Sequence, residues 1–387
     1  MPRGTDVTDM KRTYRTAIEG EFPNNFSFEL EKENDLRYGE NPNQPAATYR
    51  VKGNSLAELT DVKMTKSGKG GLSATNFMDV TRALDILKYF SNPSVAVMKH
   101  TIPSGFATQY GFKGSLDETY RMARDADARS AFGSFVVFNR PVDRATAEAI
   151  TESYVEGVVA PEFEQGAMEV LERKKDIRTV LYSNLDKLPK FIGDDTEGLY
   201  DLKVLPTGRV IAQKPYLTSV KNFGDLVLDP MVEKEGEKFV VERDPYEREL
   251  QDMFTAWYVN LGVRSNGIVL VRDGVTVAVG SGQQERVGAV EQAIVKAYQK
   301  AMDRQGYKYN PLMGITELNS MVAPLENAVV SSDAFFPFKD SIDTLASVGV
   351  SAVIQPGGSA RDYEVIDAVN EHGMAMAFTR ERCFGHF

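Results

Sequence analysis

Lys99 and His100 stand side by side where the apolar run Val95-Ala-Val-Met98 ends, just before Pro103-Ser-Gly105. The pair joins a fixed positive charge to a ring that takes up or releases a proton near neutral pH. Strand ends in α/β proteins commonly face ligand clefts. Successive strand residues point to opposite faces, so both side chains reach one site only if the strand stops there. A snorkelling lysine beside a hydrogen-bonded histidine accounts for the same residues, and the residue types leave both readings open.

Three further segments are too polar, or too oddly placed, for plain packing. Arg37-Tyr-Gly-Glu-Asn-Pro-Asn-Gln44 sets a guanidinium, a phenol and amides around a turn, equipment for holding a phosphate or a carboxamide. A solvated turn explains it too. Arg264-Ser-Asn266 and Gly280-Ser-Gly-Gln-Gln-Glu-Arg286 flank a hairpin. Their glycines would let backbone N–H groups approach an anion, but the spacing is neither GxGxxG nor a Walker loop, and a tight turn is the default. Ser331-Ser-Asp-Ala-Phe-Phe-Pro-Phe-Lys-Asp340 places three aromatics around a proline near two carboxylates. That is a wall for a flat heterocycle, or simply core before a helix.

Alternating helices and strands must position these groups. Ser73-Ala-Thr-Asn76 offers a helix start, Phe77, Val80, Leu84 and Leu87 recur at helical spacing, and Asn92-Pro93 stops the helix. Val95–Met98 reads as a buried strand broken by Ile102-Pro-Ser-Gly105. Phe338, Ile342, Leu345 and Val348 mark another helix, Gly349 ends it, and Val350–Ile354 reads as a strand broken by Pro356-Gly-Gly-Ser359. The likeness of these two successions points to a duplication. Asp273-Gly274 between two β-branched runs predicts a hairpin, followed by a helix with Val287, Val290, Ile294 and Ala297 on its apolar face. The alternation implies an α/β fold with α-β-α layers. Residues 1–22 read as an N-terminal arm, Met231–Lys238 reads as polar surface, and the domains divide at 23–240 and 241–387.

With 387 residues, 42% hydrophobic and 26% charged, the chain suits two soluble domains. It has no apolar stretch long enough for a membrane span and no secretory signal in its first residues, so a cytoplasmic protein without a membrane partner is expected. One cysteine, Cys383, permits no internal disulfide. With only His100, His372 and His386 beside it, the usual zinc sites cannot be built, and no catalytic metal is assigned. The net charge of −10 argues against nucleic acid as a partner but not against a local basic pocket.

RYGENPNQ, the Lys-His pair in MKHTIPSG, SAFGSFVVFNRPV, RSN, GSGQQER, SSDAFFPFKDSID, VIQPGGSARD and the terminal Arg382-Cys-Phe-Gly-His386 occur in the order found in AICAR transformylases. The chain resembles that family from about Arg37 to its last residue. The resemblance implies two cytidine-deaminase-like α/β/α domains and an obligate homodimer with sites built from both subunits. It implies formyl transfer from 10-formyltetrahydrofolate, a reduced folate, to the 5-amino group of 5-aminoimidazole-4-carboxamide ribonucleotide (AICAR). His100 would then be the proton-transfer group, Lys99 a positioning charge, and Asn266 a donor to the formyl oxygen. Arg37, Tyr38 and Arg382 match positions holding the nucleotide's phosphate and carboxamide. Asn76 and His386 match positions near its base, and Phe335 packs on its ring. Phe132, Gly133, Pro337 and Asp340, with Arg286 as a further candidate, match the folate side. A structural potassium ion near Ser265 and Asp333 is carried over by analogy.

Three positions depart from the family pattern: Asn43 replaces a common histidine, Glu156 a usual aspartate, and Gly385 the first of two terminal histidines. The segment before Arg37 is too short for the cyclohydrolase domain of the bifunctional members. A stand-alone transformylase is therefore expected, with ring closure by a separate IMP cyclohydrolase. A cytidine-deaminase-like hydrolase would need cysteines that are missing here, and formate with ATP would need an ATP-binding loop. The remaining alternative is a nucleotide-binding regulatory protein descended from a transformylase, although Lys99, His100 and Asn266 are all present.

Overall fold

The same order of helices and strands occurs twice, and both copies contribute to one eleven-stranded sheet. The computed structural model describes residues 3–10, 20, 22–52, 62–110 and 114–387. The first succession runs α1 (Ala74–Leu87), β1 (Ser94–Lys99), β2 (Ile102–Thr108), α2 (Leu116–Ala126), β3 (Phe135–Phe138), α3 (Arg144–Thr151), β4 (Gly157–Ala160), α4 (Gln165–Glu172) and β5 (Arg178–Leu181). The second runs α5 (Glu247–Asn260), β6 (Ile268–Arg272), β7 (Val275–Gly280), α6 (Arg286–Arg304), β8 (Val329–Ser332), α7 (Asp340–Ser347), β9 (Ala352–Gln355), α8 (Asp362–Glu371) and β10 (Ala375–Phe378).

Strand order is β10-β9-β8-β6-β7-β2-β1-β3-β4-β5, with Lys63–Lys66 added antiparallel at the β5 edge. In each half a hairpin (β1/β2, β6/β7) is followed by an antiparallel neighbour (β3, β8) and two parallel strands. The halves meet where β2 and β7 run antiparallel, with Val275 opposite Ala107.

The repeat extends to single residues. Both hairpins close on two residues of positive φ, His100 and Thr101 (54° and 68°) and Asp273 and Gly274 (53° and 77°). Both carry a bulge at the same place: Met98 faces Pro103 and Val97 faces Gly105, while Val271 faces Thr276 and Leu270 faces Ala278. Asn139 after β3 accepts the Ser94 N–H at 2.8 Å, and Asp333 after β8 accepts the Gly267 N–H at 2.8 Å.

Burial divides the molecule into three layers. Helices α1 and α5 cover one face, where Ala83, Leu87, Ala256 and Val259 pack on Ala96, Met98, Val137 and Val269. On the other face α2, α3 and α4 cover the first half through Tyr120, Ala147 and Val170. Helices α6, α7 and α8 cover the second through Val290, Ile342 and Val365. Gly105 has a packing reason to be glycine, since a Cβ there would collide with the Ala123 carbonyl of α2.

Several expectations are corrected. Pro103-Ser-Gly105 does not break the strand; the chain reverses at His100-Thr101 and Pro103 lies within β2. The two helix–strand pairs compared from sequence are not counterparts: α1-β1 matches α5-β6, whereas α7-β9 matches α3-β4. Met231–Lys238 lies in a hairpin, Pro230–Lys234 with Glu237–Val240, whose Met231 and Val232 are buried. Of the expected N-terminal arm, Thr5–Asp6 pairs parallel with Pro230–Met231, and Val7 is buried in the second half's core. The proposed division at 240/241 falls just after this hairpin, within a molecule whose halves share one sheet.

Asp362 opens α8 with its carboxylate buried. Oδ2 accepts the Gly358 N–H at 2.7 Å, and Oδ1 has no hydrogen-bonding partner among the described residues. Burial, opposed by the Gly358 and Ser359 N–H groups, pushes its pKa up to about 7. The unfolded chain releases this proton at lower pH than the folded one, so the group's contribution to stability is lost as pH rises towards and through 7. Asp362→Asn keeps an acceptor for Gly358 and removes the titration. Thermal unfolding from pH 5 to pH 8 is expected to show a decline that is smaller in the variant, the difference being worth roughly 2 kcal/mol at the upper end.

Candidate active site

Arg37 and Tyr38 follow the exposed strand Leu30–Asp35 and are pinned to the start of α1. The Arg37 N–H donates to Leu72 O at 2.8 Å, and the Tyr38 carbonyl accepts from the Ala74 N–H at 3.0 Å. The Arg37 guanidinium donates to Lys69 O at 3.0 Å and to the Tyr38 hydroxyl at 2.8 Å. Asn41 donates backbone and side-chain N–H to Gln44 Oε1 at 2.8 and 3.0 Å, so the solvated-turn reading holds for those amides. A cavity of about 720 Å³ opens beside Arg37, Gly70, Gly71, Leu72 and Phe77.

The start of α1 is held by a reciprocal cap, Ser73 Oγ accepting the Asn76 N–H and Asn76 Oδ1 accepting the Ser73 N–H, each at 3.2 Å. The remaining donor of Asn76, Nδ2, reaches Glu156 Oε2 at 3.2 Å. Arg178 at the start of β5 is fully buried. It donates to Gly71 O at 2.6 Å, Lys69 O at 3.1 Å and Glu156 O at 3.2 Å, with Glu156 Oε2 3.7 Å away. Burial and the neighbouring Arg37 charge lower its pKa.

Lys99 ends β1 with its ammonium on the Phe132 and Gly133 carbonyls, at 3.1 and 2.7 Å. Two candidate groups are thereby joined, and one of the three ammonium donors stays free of a protein acceptor among the described residues. The His100 ring is exposed and has no hydrogen-bonding partner among the described residues. Beneath the turn, the buried Asp79 of α1 accepts the Thr101 N–H at 2.6 Å. Burial pushes the Asp79 carboxyl up to about 6, against the pull of that N–H and of Lys99, with Glu156 adding to the rise.

The second cluster sits at the other half's end of the same sheet edge. Asp333, fully buried after β8, accepts from Ser265 Oγ, from the Gly267 N–H at 2.8 Å and from Arg286 Nη1 at 2.6 Å. Arg286 Nη1 also donates to Ser332 Oγ at 2.8 Å, and Nη2 reaches Asn266 Oδ1 at 2.7 Å. Asn266 Nδ2 donates to Gln283 O and Gln284 O at 2.8 and 3.1 Å. Arg286 is thus built into the support of Asn266, and the Asn266 amide is satisfied at both ends. A potassium ion beside Ser265 and Asp333 would share the carboxylate with the donors from Ser265, Gly267 and Arg286.

The C-terminal segment is laid across this cluster. Ser265 N–H donates to Gly385 O at 2.9 Å, Gly385 N–H to Ser265 Oγ at 3.1 Å, and Cys383 N–H to Asp333 O at 2.9 Å. Arg382 and His386 are exposed on either side of Phe384, whose ring lies 4.7 Å from the Arg382 guanidinium and 5.6 Å from the His386 ring. Phe335 and Pro337 are half-buried while Phe336 is fully buried, so one of the aromatics is core, as its composition allowed. Asp340 is exposed at the first residue of α7, and Phe132 is exposed beside Tyr154.

β1 ends, and β6 begins, at the same edge of the sheet, because β1 and β6 run in opposite directions across the β2–β7 seam. Both clusters therefore face one side of the molecule. A larger cavity, about 1260 Å³, lies at the opposite edge beside Asp273. Its Arg121, Arg248, Arg272 and Arg304 are matched by Glu118, Asp125, Glu247 and Asp273, so it offers no excess charge to a ligand. Sequence reasoning missed Asp79 and Arg178. The available signal for Asp79 was a carboxylate three residues after Asn76 and one before Val80, on the core-facing side of α1.

Residues 7–296 match the family model described as AICARFT/IMPCHase bienzyme. The bifunctional purine biosynthesis protein PurH of Magnetococcus marinus is 40% identical over 368 residues, covering 95% of this chain. Its counterparts in Persephonella marina and Acetivibrio thermocellus are 37% identical over 375 residues and 36% over 369, covering 96% and 95%. The chain spans 62% of the length of each of these relatives. On this match and its extent, the chain belongs to the AICARFT/IMPCHase bienzyme family.

Proposed function

We propose that this chain transfers the formyl group of 10-formyltetrahydrofolate to the 5-amino group of AICAR. The observation carrying the reading is the β1 end, where the Lys99 ammonium sits on the Phe132 and Gly133 carbonyls, and its third donor and the neighbouring exposed His100 ring have no hydrogen-bonding partner among the described residues. The amine is a weak nucleophile because its lone pair is delocalised into the ring and carboxamide. Attack forms a bond from the amine nitrogen to the formyl carbon, and collapse breaks the bond from that carbon to folate N10. One proton leaves the amine and one reaches N10. His100 takes the amine proton, directly or through the substrate carboxamide, and Lys99 holds positive charge beside the reacting centre. Asn266 turns one N–H from a Gln283 or Gln284 carbonyl towards the formyl oxygen as substrate arrives. Arg37, Tyr38 and Arg382 hold the nucleotide.

The fully bonded Asn266 amide favours one second reading, a protein that holds the nucleotide without turning it over. A homodimer is supported by the hairpin Asp201–Val204 with Val210–Gln213, which leaves Val204 78% and Val210 56% exposed. An uncovered two-stranded hairpin of this kind is marginal in water and is stabilised by a partner surface.

Steady-state assays with AICAR and 10-formyltetrahydrofolate are expected to release tetrahydrofolate and formylated nucleotide, with turnover abolished in His100→Ala. Asn266→Ala should lose on the order of 100–1,000-fold in turnover, and an unchanged rate would remove it from the mechanism. Accumulation of formylated nucleotide without IMP would agree with ring closure elsewhere, whereas IMP formation would contradict it. Nucleotide binding without turnover would select the second reading. In sedimentation, Val204→Asp with Ile211→Asp is expected to convert a dimer into monomer and to lose activity; a dimer unaffected by both changes would move the interface elsewhere.

A further inference from the structure

The internal repeat supplies a control for the turn that carries His100. In both halves an aspartate at the sixth position of the first helix lies buried beneath the hairpin turn, Asp79 in α1 and Asp252 in α5. Asp252 accepts the Asp273 and Gly274 N–H groups at 3.0 and 2.8 Å, and Asp79 accepts the Thr101 N–H at 2.6 Å. Asp252 also accepts from the Tyr110 hydroxyl and from Arg248 Nη1 at 3.0 Å, and the turns themselves differ. Asp-Gly is a pair that adopts positive φ readily at both positions. His-Thr is not, and a β-branched residue at φ 68° is an outlier that its surroundings must hold in place.

We propose that Asp79 is a positioning residue, its carboxylate holding the Thr101 N–H so that the strained turn presents the His100 ring beside Lys99. Without that acceptor the Thr101 peptide is free to leave the left-handed region, and His100 turns with it because the two residues share the reversal. The Asp252 contact performs the same mechanical task under a turn that has no such strain. The proposal rests on the reading of His100 as the proton-transfer group.

The test compares kcat and KM for AICAR in purified variants whose folding is checked by circular dichroism. Asp79→Ala is expected to lower kcat on the order of 100-fold with KM changed by less than about threefold. Thr101→Gly added to Asp79→Ala should recover at least about tenfold, because glycine takes positive φ unaided. Asp79→Asn, which keeps an oxygen to accept the Thr101 N–H, should stay within about fivefold of the parent. Asp252→Asn should lower the unfolding temperature and leave kcat unchanged. Undiminished kcat in Asp79→Ala, no recovery by Thr101→Gly, or an equal kcat loss in Asp252→Asn each overturns the proposal. If Asp79→Ala does not fold, the double variant and Asp79→Asn carry the comparison. Full turnover in His100→Ala would instead overturn the underlying reading of the site, so the two failures are distinguishable.

Discussion

Antiparallel pairing of β2 with β7 is the constraint on which the rest of the molecule depends, because it makes one sheet of two half-sheets and fixes which ends of their strands lie together. Had the halves met with β2 and β7 parallel, the His100 turn and the Asn266 segment would face opposite edges. The pairing also places α1 and α5 on one face, where Ala256 and Val259 of α5 share a core with Leu84 and Leu87 of α1. That shared burial resists separation of the halves, since parting them would expose apolar surface on both.

Buried polar side chains do the fine positioning. Asn139 and Asp333 stand at equivalent places and bind the strand starts at Ser94 and Gly267. Only the second is charged, and it is matched by the Arg286 guanidinium at 2.6 Å. A buried pair of this kind costs desolvation of both charges, and breaking it by removing one partner leaves the other uncompensated. The same network orients Asn266, so the side chain assigned to the chemistry is held by the interior of the second half. In the first half Arg178 plays the corresponding part, tying the Lys69–Gly71 loop to Glu156 and thereby to Asn76.

The two clusters differ in what they leave free. His100 and one donor of Lys99 are available to a ligand, whereas Asn76, Asn266 and Arg286 are already bonded to protein. In the proposed reaction His100 is ready to move a proton, whereas Asn266 needs a local exchange of hydrogen bonds before it can serve an oxyanion. Such an exchange keeps the half-buried amide satisfied until substrate replaces its partner.

Local pattern in the chain determined a good deal: the α1 periodicity with its Ser73 cap, the Asp273-Gly274 hairpin, α7 with its Gly349 stop, and an α/β alternation. Each of these is written in neighbouring residues through helical spacing, capping or turn chemistry. The motif resemblance, likewise carried by contiguous segments, pointed to Lys99, His100 and Asn266. Only the tertiary structure decided that Pro103 lies within a strand and that α1-β1 pairs with α5-β6 as a repeat. It also showed Arg286 supporting Asn266 and Asp79 lying under Thr101. Pro103 pairs with Met98 only five positions away across the hairpin, but the other features join residues about twenty or more positions apart, and such contacts are set by which faces pack and which strands pair. A buried aspartate on an apolar helix face is visible in the sequence, but the N–H it will bind is not, because that donor belongs to a turn whose place is fixed only when the sheet forms.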